Sequence, residues 1–144
     1  MRIRKASPED AEILEGIFSS LCEPEKKWSR ERILEKIGGI REFYLISEED
    51  KQGAIELRFD GNQCELVAIA TNPRGNGLGS QLIGFTEELA RKKHCHQIWC
   101  YTLDENKATG FYKKMGWEKE DYLPDFWEDQ GCYKFSKKLK NGKI

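Results

Sequence analysis

The chain has 144 residues, so we expect one domain, residues 1–144, that buries roughly two thirds of its unfolded surface in a single core. Its 24 lysine and arginine residues nearly balance 25 aspartate and glutamate residues, and the net charge of −1 excludes a strong general attraction to nucleic acid or an anionic membrane. No apolar run approaches the roughly 18 residues that span a bilayer, and no signal-peptide stretch is present, so we expect a cytoplasmic protein.

The first predicted elements are two helices. Ser7 and Asp10 have the spacing of a capping box around a proline, and apolar residues at helical spacing follow them, which predicts a helix over residues 8–21. Ser29 is a suitable N-cap for a second helix over residues 29–37, which two glycines end.

Three strands follow the second helix. Residues 43–47 predict one strand, and residues 53–59 and 63–70 flank the turn signal Asp60-Gly61-Asn62. Because an Asp-Gly pair between two apolar runs is typical of a hairpin, we expect these two strands to be antiparallel neighbours.

The remaining elements complete a mixed sheet. Apolar spacing predicts a helix over residues 80–93, a strand over 97–103 and a short helix over 106–115. Strands are expected near residues 117–122 and 132–138. The order of strand, glycine loop, helix and strand predicts a βαβ unit with two parallel strands.

The cysteines predict buried thiols rather than a disulfide framework. They are odd in number, lack Cys-x-x-Cys spacing and lie at Cys22, Cys64, Cys95, Cys100 and Cys132. Adjacent side chains in His94-Cys95-His96 cannot all face one ion, so we expect no metal site.

A glycine-rich loop separates the second hairpin strand from the helix that follows. Its sequence from Arg74 to Gly79 reads Arg-Gly-Asn-Gly-Leu-Gly, with Ser80 next. Glycines let the backbone approach a phosphate, and the first free N–H groups of a helix donate to it, so the loop predicts an anion site. No lysine follows the last glycine, which excludes a P-loop, and neither glycine frame fits a dinucleotide fingerprint.

Three motifs, in the order strand, glycine loop and helix, resemble the GNAT superfamily of N-acetyltransferases that depend on acetyl-coenzyme A. The strand is Glu65-Leu66-Val67-Ala68-Ile69-Ala70-Thr71, the glycine loop follows it, and the Ala-x-x-x-Tyr helix lies in the segment from Lys107 to Trp117. The Ile3-Arg4-Lys5-Ala6 opening is also similar to that of many members. The resemblance implies an α/β fold with a mixed, mostly antiparallel sheet, one parallel splayed pair and about four flanking helices.

The resemblance implies acetyl-CoA as cosubstrate and a specific position for it. Its pyrophosphate would lie on the loop amides, and its pantetheine arm would run between two diverging strands, residues 65–71 and 97–103. The residues so assigned to the cofactor are Ile69, Ala70, Thr71, Arg74, Gly75, Asn76, Gly77, Leu78, Gly79, Ser80 and Asn106.

Two residues are candidates for catalysis. An amine must be neutral to attack a thioester, and the family match places a possible general base at Glu65, which simple alternation puts on the strand face of Val67 and Ile69. A water chain is the alternative base. Tyr112 matches the family tyrosine that donates a proton or hydrogen bond to the departing thiolate; without the match it would be an ordinary core aromatic.

The acceptor is predicted from charge. Residues 118–129 hold six carboxylates and three aromatic side chains, and we expect them to form the mouth for a cationic amine or basic peptide. The expected partners are acetyl-CoA and an amine, without nucleic acid or membrane, for a monomer or homodimer. Alternative functions are a non-catalytic acyl-CoA sensor and, less consistent with the glycine pattern, a nucleotide-binding regulatory domain.

Overall fold

Seven strands form one mixed sheet in the computed structural model, which describes residues 3–19, 21, 28–103, 108–127 and 130–139, without the side chains of residues 125 and 127. The strand order is β1-β2-β3-β4-β5-β7-β6. Their bounds are β1 Ile3–Lys5, β2 Arg41–Glu48, β3 Lys51–Asp60, β4 Gln63–Asn72, β5 Gln97–Leu103, β6 Glu118–Trp127 and β7 Gln130–Lys138. All neighbours are antiparallel except β4 and β5, which are parallel. The predicted mixed α/β fold is confirmed.

In the described part of the chain, four α-helices cover the two faces of the sheet. They are α1 Ala11–Phe18, α2 Arg30–Lys36, α3 Leu78–Lys92 and α4 Thr109–Lys114. Helix α3 packs on one face with the buried side chains of Ile55, Leu57 and Ile98. Helices α1 and α2 pack on the other face against Phe43 and other apolar residues of β2 and β3. The sheet therefore separates two apolar layers.

Most predicted elements are present, with shifted ends. The 8–21 helix begins as a 3-10 turn, Pro8–Asp10, and its α-helical part ends at Phe18. Ser29 caps α2 as predicted, because its hydroxyl accepts a hydrogen bond from the Arg32 amide at 3.3 Å. The predicted hairpin is β3 and β4. Helix α4 is shorter than residues 106–115, and part of that predicted range lies outside the described residues.

Strand β1 was not predicted, and β6 extends five residues beyond the predicted end at residue 122. Three residues are too few to show alternation, and β1 is held by antiparallel pairing with β2, where Ile3 lies opposite Ile46. Four of the cysteines are buried thiols, as predicted; they are Cys64, Cys95, Cys100 and Cys132, while Cys22 lies outside the described residues.

A β-bulge interrupts the hairpin at Val67. Glu56 lies opposite Ala68, but the next residue of β3, Leu57, lies opposite Leu66, so Val67 is an extra residue in β4. On the amino-terminal side of the bulge Leu66 faces the α3 layer, whereas beyond it Ala68 faces the α1 and α2 layer. The bulge therefore exchanges the two faces of β4.

Replacing Asp10 with Asn should lower the free energy of unfolding at neutral pH by about 1 to 2 kcal/mol. The Asp10 carboxylate accepts two hydrogen bonds from the Arg4 guanidinium, at 2.8 and 2.9 Å, and one from the Ser7 amide. The Arg4 hydrogen bond is the main reason that the Asp10 pKa falls from 3.8 to about 2. A lowered carboxyl pKa stabilises the fold above the unfolded value, and this contribution is lost as the pH falls towards about 2.

Denaturant unfolding at neutral pH and near the folded pKa of Asp10 checks this prediction. Glu9→Gln is the matched control, because Glu9 is its exposed neighbour on the same turn. The free energy of unfolding that Asp10→Asn costs should be smaller in acid than at neutral pH. An equal cost at both pH values would contradict its dependence on the Asp10 carboxylate.

Candidate active site

The parallel strands β4 and β5 diverge. They pair over only three positions, from Gln63 opposite Gln97 to Glu65 opposite Trp99. Beyond them β4 pairs with β3, and β5 pairs with β7 as far as Leu103 opposite Cys132. Backbone N–H and C=O groups therefore border an opening between residues 66–71 and residues 100–103. The predicted splayed pair is confirmed.

A cleft of about 850 Å³ occupies this opening and continues to the glycine loop. Its volume is in the range of sites that bind small molecules and cofactors. Nine of the residues predicted to contact a cofactor line it: Ile69, Ala70, Thr71, Arg74, Gly75, Asn76, Gly77, Gly79 and Ser80. Asn106, also predicted, lies outside the described residues.

The glycine loop has a conformation that requires glycine at two positions. Gly75 and Gly77 have φ values of +72° and +89°, and Gly77 is the N-cap of α3. The Asn76 side chain fixes the turn: its Oδ1 accepts from the Leu78 amide at 2.9 Å, and its Nδ2 donates to the Gln52 carbonyl at 3.2 Å. The loop is therefore held in shape without a ligand.

Leu78 differs from the other predicted cofactor residues. Its side chain is buried in the α3 layer, its N–H group donates to Asn76, and it does not line the cleft. The next amides, of Gly79 and Ser80, belong to the first turn of α3, where N–H groups have no partner within the helix. The N–H groups available to an anion at this end of the cleft are therefore those around Leu78 rather than that of Leu78 itself.

Replacing Gly77 with Ala should weaken coenzyme A binding by about tenfold, since a Cβ at positive φ costs about 1–2 kcal/mol and relief of that strain would turn the loop amides. Gly84→Ala is the matched control, because Gly84 lies in α3 with open space around it. Titration calorimetry with coenzyme A measures both variants. Equal affinity in the two would mean that the Gly77 conformation does not support the ligand.

Tyr112 lies in α4 at the edge of the cleft and is only 3% exposed. Its ring stacks on Phe135, with 5.4 Å between centroids, and its hydroxyl is hydrogen-bonded to the Cys100 thiol. Burial, followed by the effect of Cys100, raises the pKa of the phenol well above its usual 10.0. The group is therefore a proton or hydrogen-bond donor at every ordinary pH.

Glu65 also lines the cleft, but not on the expected face. Because of the bulge at Val67, Glu65 lies on the face of α1 and α2, whereas Ile69 packs in the α3 layer. The alternation that placed Glu65 with Ile69 was therefore wrong. Its Oε1 accepts a hydrogen bond from Arg58 Nε at 2.9 Å, and its side chain is 20% exposed.

The two candidate catalytic groups thus lie on opposite sides of the sheet. Tyr112 belongs to the α3 layer, and Glu65 lies on the α1 and α2 face, with the opening between β4 and β5 separating them. A thioester in that opening would have a proton donor on one side and a carboxylate on the other. The arrangement suits acyl transfer between molecules that enter from different faces.

Part of the predicted acidic mouth is described by the structure; Glu128, Asp129 and the side chain of Asp125 lie outside the described residues. Phe126 lines the cleft, but Glu118, Glu120 and Asp121 do not. Glu120 instead accepts from the Ser136 hydroxyl and pairs with Lys134 at 3.4 Å. The pairing of β6 with β7 places these three carboxylates opposite residues 134–136, whereas the cleft reaches β7 at Cys132.

Sequence reasoning missed Leu21 and Trp28 as residues that line the cleft. Both flank the α1–α2 connection, and their place depends on how the two helices pack on the sheet, for which the local sequence carries no signal. Tyr101 also lines the cleft.

Comparison with known proteins agrees with the geometry of the cleft. Residues 39–119 match the family model described as the acetyltransferase (GNAT) domain. The chain belongs to the GNAT family. This match spans more than half of the chain and includes β4, the glycine loop, α3, β5 and α4. The family so described comprises acetyltransferases.

Other known proteins resemble the chain in sequence or in fold. The uncharacterized protein YdhI of Bacillus subtilis is 31% identical over 74 residues, which are 51% of this chain and 46% of YdhI. The chain thus spans about half the length of the curated relatives it matches. The structure of smu.2055 from Streptococcus mutans is 21% identical, with a TM-score of 0.82 over 97% of this chain and 100% of that one.

A third relative, the PaiA N-acetyltransferase from Thermoplasma acidophilum in complex with coenzyme A, is 23% identical, with a TM-score of 0.75 over 96% of this chain and 98% of that one. At these identities the structural matches describe the GNAT fold alone. None of the helices in the described part of the chain has the length and apolar character needed to cross a membrane.

Proposed function

We propose that this GNAT protein is an N-acetyltransferase that moves an acetyl group from acetyl-CoA to a primary amine by direct attack in a ternary complex. The observation that carries the proposal is the opening between β4 and β5, which leads without interruption to the amides of the glycine loop. A pantetheine arm fits such an opening because its amides can pair with the backbone groups that the diverging strands leave exposed.

In the proposed complex the loop from Arg74 to Ser80 binds the pyrophosphate, and Ile69 to Thr71 supply backbone groups for the pantetheine. The amine nitrogen attacks the thioester carbonyl carbon, a C–N bond forms, and the C–S bond breaks. Glu65, directly or through water, takes the proton that the amine loses. Tyr112 stabilises the departing thiolate by donating a hydrogen bond or its proton.

Release of coenzyme A thiol tests the proposal. Purified protein given acetyl-CoA and a panel of primary amines should release thiol in proportion to acetylated amine. Binding of acetyl-CoA without turnover across the panel would instead favour a non-catalytic acyl-CoA sensor. We further propose that residues 1–144 act as one acetyltransferase domain in the cytoplasm, as a monomer or a homodimer.

A further inference from the structure

The apolar and aromatic side chains that line the cleft include four outside β4, the glycine loop and α4. They are Leu21, Trp28, Tyr101 and Phe126, and we call this group the aromatic end. Tyr101 is 46% exposed and Phe126 is 50% exposed, although both are large. Exposed aromatic residues that line the same cleft are typical of a binding surface, because one ligand can contact several of them.

Trp28 is held firmly at this end. Its ring stacks on Phe18, with 5.6 Å between centroids and an interplanar angle of 30°. Its indole Nε1 donates to Glu56 Oε1 at 2.7 Å. Both partners are buried in the layer between the sheet and helices α1 and α2. The indole therefore presents a fixed wall to the cleft.

Glu56 is a fully buried carboxylate, with 0% exposure, and its charge is compensated. Its Oε2 accepts from Arg41 Nη1, and Lys36 Nζ lies 3.7 Å from the same oxygen. A buried carboxylate is costly unless it is paired and hydrogen-bonded, and here one oxygen serves two cations and the other serves Trp28. Glu56 therefore positions Trp28 and adds no net negative charge.

The aromatic end also lacks an excess of carboxylate among its described residues. Glu65 lies on the same sheet face, and its carboxylate pairs with Arg58. Lys134 Nζ lies 5.3 Å from the Trp99 ring centroid, beside Tyr101. The described residues would therefore add little to the binding of a second positive charge on an acceptor, whereas an apolar group would find a large contact surface.

We infer that the acceptor of the proposed acetyl transfer is a primary amine carried by an aromatic or bulky apolar body, with Trp28 as a specificity-determining residue and Glu56 as the residue that positions it. The inference rests on the proposed function and deepens it. The body of the acceptor lies against Trp28, Tyr101 and Phe126, and its amine reaches the thioester from the Glu65 side of the sheet.

Four probe amines test the substrate class: 2-phenylethylamine, a tripeptide that begins with phenylalanine, 1,4-diaminobutane and ethylamine. With rates expressed per neutral amine, kcat/KM for at least one aromatic probe should exceed that for 1,4-diaminobutane by about tenfold or more. The two aromatic probes distinguish a small-molecule acceptor from a peptide terminus. A diamine used as well as both aromatic probes would overturn the inference.

Variants of Trp28 test its role. Trp28→Ala should lower kcat/KM for the better aromatic probe about tenfold and for ethylamine less than about threefold. Trp28→Phe keeps an apolar ring but loses the bond to Glu56, so it should raise KM about threefold with kcat unchanged. The control is Tyr44→Phe, which loses a similar buried side-chain bond, to Glu42 at 2.6 Å, away from the cleft.

The two levels of failure are distinguishable. If no probe is acetylated while coenzyme A still binds, the proposed function fails and the acceptor inference fails with it. If every probe is acetylated but Trp28→Ala lowers kcat/KM equally for aromatic and non-aromatic amines, acetyl transfer stands and the selectivity of Trp28 is refuted.

Discussion

Tyr112→Phe should lower kcat by about 10²–10³-fold, because loss of a positioned hydrogen-bond donor to a developing anion typically costs that much. The substitution keeps the ring that stacks on Phe135 and packs at a tilt on Trp117, so the fold and the KM for acetyl-CoA should change little. Burial raises the pKa of this phenol, which keeps it protonated and able to donate. Steady-state kinetics with acetyl-CoA and an amine measure the effect.

Tyr44→Phe is the matched control for the phenol. Tyr44 is also buried, its hydroxyl donates to Glu42 at 2.6 Å, and it does not line the cleft. Its variant should retain nearly full kcat. If both variants lose activity equally, the loss reflects stability, and if Tyr112→Phe remains fully active, Tyr112 is a packing residue.

Glu65→Gln should lower kcat/KM by about 10²-fold at neutral pH for an amine of high pKa. An alkylamine of pKa about 10.4 is neutral in only about one part per thousand near neutral pH, which raises the barrier by roughly 4 kcal/mol. For an α-amine of pKa about 8 the barrier rises by only about 1 kcal/mol for the same reason. A general base therefore matters more for an alkylamine acceptor than for an α-amine acceptor.

The pH profile separates a base from a structural residue. With Glu65 as the base, the deficit of Glu65→Gln should shrink as rising pH deprotonates the amine, and it should be smaller for an α-amine. Asp60→Asn is the control, because Asp60 also contacts Arg58, at 3.5 Å, but is highly exposed and outside the cleft. If Glu65→Gln lowers kcat/KM equally at all pH values and for both amines, Glu65 is not the base, and water removes the proton.

The glycine loop and α4 could be predicted because their signals are local. Positive φ at Gly75 and Gly77 follows from a turn that only glycine adopts readily, and it leaves the amides of Gly79 and Ser80 at the start of a helix. Turn chemistry likewise predicted the hairpin. These features depend on neighbouring residues, so the amino-acid order contains them.

The sequence by itself thus determined the mixed sheet, the order of its elements and the candidate phosphate loop, since each depends on short-range periodicity or turn conformation. Only the tertiary structure decided the face of Glu65, the exclusion of Leu78 and the aromatic end around Trp28. The bulge at Val67 arises from how β4 pairs with β3, and one extra residue turns every later side chain to the opposite face. Trp28 reaches the cleft through contacts with Phe18 and Glu56, partners 10 and 28 residues away in the chain, which no local pattern could reveal.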